Sequence, residues 1–283
     1  MKNNIFNLLG SLIAFYIPVQ IAYLTGSESV IKAVLLAFLI QWICFTPAYI
    51  LQTEKFYDLT GSLTYLTLIL FSIFNAGSLG FASLIVCACV SVWAVRLGSF
   101  LFLRIKKDGE DKRFRSIKTS FARFFMTWTL QGMWVTMCLL CVTTALSSEG
   151  GIKEGVGFYL GLIVFIIGFG LEVSADMQKT RFRKNPENKD KFISTGLWAK
   201  SRHPNYLGEI ILWLGVALMS MESLRGIEYI TLISPLFVYI LLVYVSGVRI
   251  LENSGQKKWG NLPEYKTYVE NTPQLFISFR SLF

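Results

Sequence analysis

The stretch that decides the fold class is GVGFYLGLIVFIIGFGLEVSA (residues 155–175), which is followed at once by the basic run DMQKTRFRK (176–184). About twenty apolar residues are the length with which an α-helix crosses a hydrocarbon core of roughly 30 Å. Seven more apolar stretches of similar length lie before and after it along the chain. The predicted spans lie near residues 5–24, 30–51, 62–79, 80–103, 121–146, 155–175, 206–224 and 227–248. Only Gly77, Ser78 and Gly80 signal a turn between the third and fourth spans, so seven spans are the alternative.

The amino-acid composition excludes the water-soluble classes. Of the 283 residues, 53% are apolar and only 16% are charged, and the mean hydropathy is +0.52. A soluble domain usually carries about a quarter charged residues. A soluble enzyme, a disordered chain and a disulfide scaffold are therefore excluded. The sequence predicts an all-α polytopic integral membrane protein, a bundle of seven to eight transmembrane helices that forms a single membrane domain over residues 1–283.

The basic residues predict the orientation of the chain in the lipid bilayer. Of the 27 Lys and Arg residues, eight fall within 104–123, eight within 179–202 and five within 249–280. Because Lys and Arg accumulate in cytoplasmic segments, we expect these regions and both termini to be cytoplasmic. A net charge of +9 would suggest nucleic acid in a soluble chain. Here the basic residues flank transmembrane spans, where they determine the topology and contact anionic lipid headgroups. No nucleic-acid partner is therefore expected.

A few ionisable side chains fall within the predicted spans or at their ends, where such groups are costly and by default indicate function. Glu172 and Asp176 are spaced i, i+4, so both carboxylates share one face of a helix. Glu209 lies one turn into the following span, just after Asn205. The other explanation is structural, with these acids paired to Arg96 or to the basic loops. The five cysteines lie inside predicted spans, and no metal site is predicted.

The only histidine, His203, lies in the run TGLWAKSRHPNYLGE (195–209), where a basic segment enters the membrane. Pro204 suits the first turn of a helix, because its missing N–H costs nothing there. Exposed helix amides, Arg202 and Asn205 together suit an anionic or amide-bearing ligand.

The segment that precedes this run is basic, with Lys179, Arg181, Arg183 and Lys184 close together. Such a cluster can bind phosphates or lie on lipid headgroups, and charge alone does not decide between the two. The chain has no G-x-G-x-x-G motif behind a strand. Any dinucleotide is therefore expected to be held by the membrane domain itself rather than by a Rossmann domain.

The run from Gly196 to Gly215 resembles the signature of the bacterial DUF1295 family, whose members are relatives of the steroid 5α-reductases. Leu130-Gln131-Gly132, the stretch 165–176 and the basic run 181–184 also resemble that superfamily. The resemblance covers the chain from about residue 90 to its end. It implies a multi-pass protein of the bacterial inner membrane, with substrate-side spans over residues 1–103 and a cofactor-binding region over residues 104–283.

The resemblance also implies an activity, the NADPH-dependent reduction of a carbon–carbon double bond conjugated to a carbonyl in a lipophilic steroid, isoprenoid or lipid substrate. By position, Asp176, Arg183, Asn205 and Glu209 match residues that bind NADPH in the reductases. Glu172 stands where those enzymes have an asparagine that faces the cofactor. The expected cofactor-binding residues are Glu172, Asp176, Arg183, Lys184, Arg202, His203, Asn205, Tyr206 and Glu209.

The residues expected to polarise the substrate carbonyl are less directly matched. In the steroid enzymes a Glu and a Tyr polarise the ketone, and the Glu corresponds here to Glu54 or Asp58. The Tyr position aligns with Trp93, which cannot donate as a phenol does. Tyr57 or Tyr65 is the candidate replacement. The expected catalytic residues are Glu54, Tyr57 and Asp58.

Two other functions remain open from the sequence. Arg-His-Pro-x-Tyr-x-Gly (202–208), together with Trp259-Gly260, Tyr265 and Tyr268, also resembles the isoprenylcysteine carboxyl methyltransferases. Those enzymes bind S-adenosylmethionine at the cytoplasmic face of the membrane. The third possibility is a non-enzymatic role in lipid binding or transport. The absence of an internal repeat in the sequence disfavours transport, because many transporters consist of two related halves.

Overall fold

The computed structural model describes residues 2–276, and this part of the chain is helical, without a β-strand. Its ten α-helices, numbered in chain order, are α1 (Lys2–Leu24), α2 (Glu28–Ile50), α3 (Tyr57–Asn75), α4 (Phe81–Asp108), α5 (Phe121–Ser147), α6 (Val156–Lys184), α7 (Pro204–Ser220), α8 (Ser234–Ile240), α9 (Val248–Trp259) and α10 (Pro263–Asn271).

Eight helical segments within the described residues are long and apolar enough to cross a membrane. They are α1 from Asn4 onward, the whole of α2 to α6, α7 extended to Ser223, and the segment Gly226–Trp259. The prediction of an all-α polytopic membrane protein is therefore confirmed, with eight candidate spans rather than seven. The third span begins at Tyr57, five residues before the predicted start at 62. Asp58 lies in its first turn, where a carboxylate interacts favourably with the helix dipole.

The chain divides into two compact units. The first comprises the chain up to Tyr159 together with Val216–Ser234, and the second comprises Leu160–Gly215 and the chain from Pro235 onward. In the first unit, α5 is the central helix and packs against α1, α2 and α3. A hydrophobic cluster made mostly of aromatic side chains packs within this unit. Its buried members are Phe45, Ala48, Phe114, Phe124 and Trp128.

In the second unit, the backbones of α6 and α7 lie very close together where the helices cross, because glycines occupy the contact positions. A Cβ added at Gly208 would lie 2.5 Å from the backbone nitrogen of Glu172. A Cβ added at Gly215 would lie 2.5 Å from the backbone nitrogen of Phe165. Small residues permit such close approach of helices in membranes, where dispersion contacts replace the hydrophobic effect. The crossing places Glu172 of α6 against the helix turn that carries Glu209.

The eighth span is irregular, whereas the sequence predicts one regular span over 227–248. A 3₁₀-helix over Gly226–Ile233 leads into α8, a π-helix follows over Leu241–Ser246, and the chain bends at Gly247 before α9. A Cβ at Gly247 would meet the carbonyl oxygen of Leu242 and would lie 3.0 Å from Cε2 of Tyr206. The glycine therefore permits both the bend and the contact with Tyr206. Short π-helical turns occur often at functional sites.

Candidate functional site

Three buried carboxylates lie around the crossing of α6 and α7. Glu172 is 2% exposed, Asp176 7% and Glu209 8%. Glu172 and Asp176 are one turn apart on α6, as predicted, and Glu209 follows the glycine that contacts the backbone of Glu172. Buried ionisable groups in a membrane helix are expensive, and they persist where polar partners or a ligand compensate them. The structure therefore brings the predicted acidic residues together.

The basic end of α6 carries the next part of the predicted set. The helix continues without interruption to Lys184, so Glu172 and Lys184 are separated by about 18 Å along its axis. Arg183 and Lys184 are exposed there. The second unit thus presents buried carboxylates at one level of α6 and exposed cations at its end. This arrangement suits an elongated ligand whose polar, hydrogen-bonding end is enclosed and whose anionic part reaches the basic end.

The segment between α6 and α7 is attached to the end of α6 by side-chain contacts. The indole Nε1 of buried Trp198 donates to the carbonyl of Ala175 at 3.0 Å, and the backbone N–H of Leu197 donates to Oε1 of Gln178 at 2.9 Å. The ammonium of Lys179 lies 4.4 Å from the centroid of the Trp198 ring. These contacts hold the start of the motif in place, because each spans two elements.

Arg202 and His203 share one carboxylate, that of Glu252 on α9. Nη1 of Arg202 donates to Oε2 of Glu252 at 2.7 Å, and Nε2 of His203 lies 2.7 Å from Oε1. His203 also stacks on Tyr206, with ring centroids 5.8 Å apart and planes 10° from parallel. Glu252 was not among the residues expected from the sequence. Two signals were available in the sequence: Glu252 follows the predicted span 227–248 by four residues, and it lies in the stretch 251–268, which is compatible with both the reductase and the methyltransferase resemblance.

Burial lowers the pKa of His203 below its ordinary value, and the hydrogen bond with Glu252 opposes that shift. The imidazole is therefore neutral at pH 7. Because a carboxylate only accepts, the proton lies on Nε2 and is donated to Glu252. Nδ1 is then a buried acceptor, and Nε–H of Arg202 a buried donor, both without a hydrogen-bond partner in the described part of the chain. An acceptor and a donor on adjacent residues suit a ligand that carries an amide or an aminopyrimidine edge.

The C-terminal part of the chain packs on the same motif. The backbone N–H of Arg202 donates to the carbonyl of Pro273 at 3.0 Å, and Oγ of Ser201 donates to the carbonyl of Leu275 at 2.8 Å. Tyr268 of α10 donates to the carbonyl of Trp198 at 2.7 Å. The motif is therefore held from both sides, by α6 and by the segment after α10. Such support keeps a binding site in a fixed geometry.

The residues expected to polarise a carbonyl lie in the first unit, at the start of α3. Glu54 is buried; its Oε2 accepts from Nζ of Lys118 at 2.7 Å and its Oε1 from the backbone N–H of Asp111 at 3.0 Å. The hydroxyl of Tyr57 donates to the carbonyl of Thr127 at 3.0 Å. Glu54 thus anchors the loop between α4 and α5. Asp58 is half-buried in the first turn of α3.

Trp93, which stands at the expected tyrosine position, is buried on α4. Its ring meets that of Tyr65 on α3 edge to face, with centroids 5.0 Å apart. Of the two candidate replacements for a tyrosine donor, Tyr65 is therefore the one in contact with Trp93.

The fold and these sites define a multi-pass α-helical membrane protein with a polar site at the ends of two closely packed helices. The family model described as "Protein of unknown function (DUF1295)" matches residues 44–272. The chain belongs to this family, which confirms the resemblance found in the sequence. No solved structure matches the chain.

Several curated proteins are similar to parts of the chain. The "Probable O-methyltransferase ustE" of Ustilaginoidea virens is 34% identical over 116 residues, which cover 36% of this chain and 41% of the relative. The human "3-oxo-5-alpha-steroid 4-dehydrogenase 2" is 36% identical over 89 residues, 31% of this chain and 32% of the relative. The chicken "Delta(14)-sterol reductase LBR" is 30% identical over 135 residues, which cover 42% of this chain and 20% of the relative. The matches thus span less than half the length of each relative.

Proposed function

We propose that this protein is an NADPH-dependent membrane reductase that reduces a carbon–carbon double bond conjugated to a carbonyl in a lipophilic substrate. The observation that carries the proposal is the second unit's layout, with three buried carboxylates at the α6–α7 crossing and cations at the exposed end of α6. The names of the human and chicken relatives support a reductase. Both termini are proposed to lie on the cytoplasmic side of a bacterial inner membrane, following the basic segments.

Each part of the site has a proposed role toward the cofactor. Asn205, Glu209 and Glu172 hydrogen-bond the carboxamide and the ribose hydroxyls, and Arg183 and Lys184 hold the phosphates. The buried Nδ1 of His203 and Nε–H of Arg202 complement an amide or adenine edge. NADPH supplies the hydride when it is bound, so the protein needs only to bind it, orient it and exclude water.

A methyltransferase is the second candidate, and one finding favours it specifically. The relative from Ustilaginoidea virens is named an O-methyltransferase. S-adenosylmethionine also carries an adenine, so the unpartnered atoms of Arg202 and His203 fit it equally well. The ligand that co-purifies with the protein in mild detergent distinguishes the two functions. NADP(H) would support the reductase, and S-adenosylmethionine would support the methyltransferase instead. Substrate flux into vesicles without consumption of either cofactor would indicate transport.

The cofactor site is tested by Glu209→Gln and Asn205→Ala. Glu209→Gln exchanges an acceptor for a group that both donates and accepts, and Asn205→Ala removes the side-chain amide. Because water cannot replace the lost hydrogen bonds on this helix face, each change should cost roughly 1.5–3 kcal/mol, about one to two decades of NADPH affinity. Binding is measured on monodisperse protein in detergent. Glu264→Gln and Asn253→Ala, at exposed positions of the same unit, are the matched controls and should bind as wild type does. If the variants have lower melting temperatures but unchanged NADPH affinity, Asn205 and Glu209 serve helix packing and do not bind the cofactor.

The substrate end is tested by Asp58→Asn and Glu54→Gln. Both amides should lower turnover of an identified substrate and leave NADPH affinity nearly unchanged, because polarisation of the carbonyl is lost while the cofactor site is intact. Glu54→Gln should also lower the melting temperature, because it removes the ion pair with Lys118. Full turnover in both variants would place the polarising group elsewhere.

A further inference from the structure

His203, the only histidine of the chain, is buried just before α7 in the second unit. Ionisable side chains surround its imidazole from the elements packed around it: Lys179 of α6, Arg202 before α7, Tyr206 of α7, Glu252 of α9, and Tyr265 and Tyr268 of α10. The two tyrosines of α10 act on Arg202 and Glu252. Among the described residues, the charges that act directly on the imidazole are two cations and one carboxylate.

Three contacts fix the orientation of the His203 ring. Its backbone N–H donates to Oγ of Ser201 at 3.3 Å, its ring stacks on Tyr206 with planes 10° from parallel, and its Nε2 lies 2.7 Å from Oε1 of Glu252. A flipped ring would place the carbon Cε1 against the carboxylate and lose this hydrogen bond. The position of Nδ1, on the side of the ring that does not meet Glu252, is therefore determined as well.

The charges around the ring disfavour its protonated form. Glu252 already has one full cation as a partner, because Nη1 of Arg202 donates to its other oxygen at 2.7 Å. A proton on the imidazole would add a second buried cation to the same carboxylate. Burial opposes this proton most strongly, the hydrogen bond with Glu252 favours it, and Lys179 and Arg202 oppose it, so the pKa of His203 lies below its ordinary value. The neutral ring with its proton on Nε2 is therefore the form present at pH 7.

Protonation of the neutral ring changes the hydrogen bonding of one atom. Nε2 already carries a proton, so the next proton binds to Nδ1. Nδ1 is buried and has no hydrogen-bond partner in the part of the chain that the structure describes. In the neutral ring it accepts a hydrogen bond, whereas in the charged ring it donates one and carries part of a positive charge beside Arg202. A group that donates to Nδ1 therefore binds the neutral form and is excluded by the charged form.

We propose that His203 makes nucleotide binding pH-dependent, because a proton on Nδ1 competes with the nucleotide for the same lone pair. This coupling rests on the proposed function, in which Nδ1 accepts from an amide or adenine edge of the cofactor. Two binding events that exclude each other are linked, so each weakens the other by the same factor. NADP(H) should therefore bind at neutral and alkaline pH and be released in acid. His203 acts as a pH switch on the occupancy of the cofactor site.

The first measurement is the affinity for NADP⁺, which is stable in acid, from about pH 8 to about pH 5 on detergent-purified protein. Wild-type affinity should fall about tenfold for each pH unit below the titration point of the imidazole. His203→Gln keeps an N–H donor for Glu252 but does not titrate, so it should retain only the shallow dependence that the phosphate of the ligand itself contributes. The ratio of the two profiles removes this contribution of the ligand.

The single histidine permits a second measurement, because labelling histidine with the heavy nitrogen isotope gives NMR signals from one imidazole alone. The protein carries an affinity tag without histidine. At neutral pH the ring proton should be found on Nε2, and saturating NADP⁺ should move the titration point of the ring to lower pH. This readout uses the wild-type protein, so it depends neither on turnover nor on the folding of a variant.

Lys179→Gln tests the electrostatic contribution to the switch. It removes a cation that disfavours the proton on His203, so the titration point of the ring, and with it the loss of NADP⁺ affinity, should move to higher pH. Lys257→Gln is the matched control, since it removes the same charge from an exposed position of α9 in the same unit, and it should leave the titration point nearly unchanged. A residue that only supports helix packing would lower stability without moving this point.

Three results would overturn the proposal. The first is a wild-type affinity profile that matches the profile of His203→Gln. The second is a titration point that does not respond to saturating NADP⁺, which would show that water and not the nucleotide satisfies Nδ1. The third is a ring proton on Nδ1 at neutral pH. Absence of NADP⁺ binding at every pH would refute the proposed function together with the coupling, whereas pH-independent binding would refute the coupling alone.

Discussion

Replacing Gly208 by valine is expected to remove most of the folded, monodisperse protein, and replacing it by alanine should already destabilise the second unit markedly. A Cβ at Gly208 would lie 2.5 Å from the backbone nitrogen of Glu172 and 2.7 Å from the carbonyl oxygen of Gly168. These are backbone atoms of α6, which cannot rotate away as the end of a flexible side chain does. Overpacking costs about 1–3 kcal/mol where side chains can adjust, so valine here should exceed that range.

The measurement is the yield of monodisperse protein and its unfolding in detergent, compared with Gly170→Val. Gly170 lies on α6, two residues from Gly168, and a Cβ there would meet nothing within 4 Å. The control therefore changes the same residue type in the same helix without a steric clash. If Gly208→Val were as stable as Gly170→Val, α6 and α7 would not cross at these glycines, and the grouping of Glu172 with Glu209 would be lost as well.

The second large effect is expected from Glu252→Gln. Arg202 is 13% exposed and Glu252 24%, and the carboxylate accepts from both Arg202 and His203. Removing the charge leaves a largely buried guanidinium without its counter-ion, which is strongly destabilising. We expect a loss of about 2–4 kcal/mol of stability, because residual exposure reduces the full-burial cost. NADPH affinity should fall too, since the side chains of Arg202 and His203 are no longer held in one orientation.

Asp190→Asn is the matched control for this charge removal. Asp190 pairs with Lys258 at 2.8 Å in the same unit, but the two side chains are 71% and 49% exposed. Exposed pairs contribute little, so the variant should stay within about 0.5 kcal/mol of wild type. Both variants lose one carboxylate, so unfolding in detergent compares a largely buried carboxylate that has two side-chain partners with an exposed one that has Lys258. Equal stability of the two variants would show that Glu252 is not a structural partner of the motif.

Much of the fold follows from local properties of the sequence. The number of spans depends on runs of about twenty apolar residues, and the start of α7 follows from Pro204, which begins that helix as expected. The shared face of Glu172 and Asp176 follows from helical spacing alone. The irregular eighth span was not predictable in this way, because the π-helix over Leu241–Ser246 carries no Pro or Gly, and only Gly247 marks its end.

The sequence by itself determined the class of protein, the presence of seven or eight candidate spans, the family resemblance and the motif from Thr195 to Glu209, because each depends on residues that are neighbours along the chain. Only the tertiary structure decided which partners these residues have. Glu252 reaches His203 across 49 positions, Lys118 reaches Glu54 across 64, and Gln131 reaches Tyr57 across 74. Neither periodicity nor composition encodes such pairs, because they depend on how separate helices pack and on which polar atoms burial leaves to be satisfied.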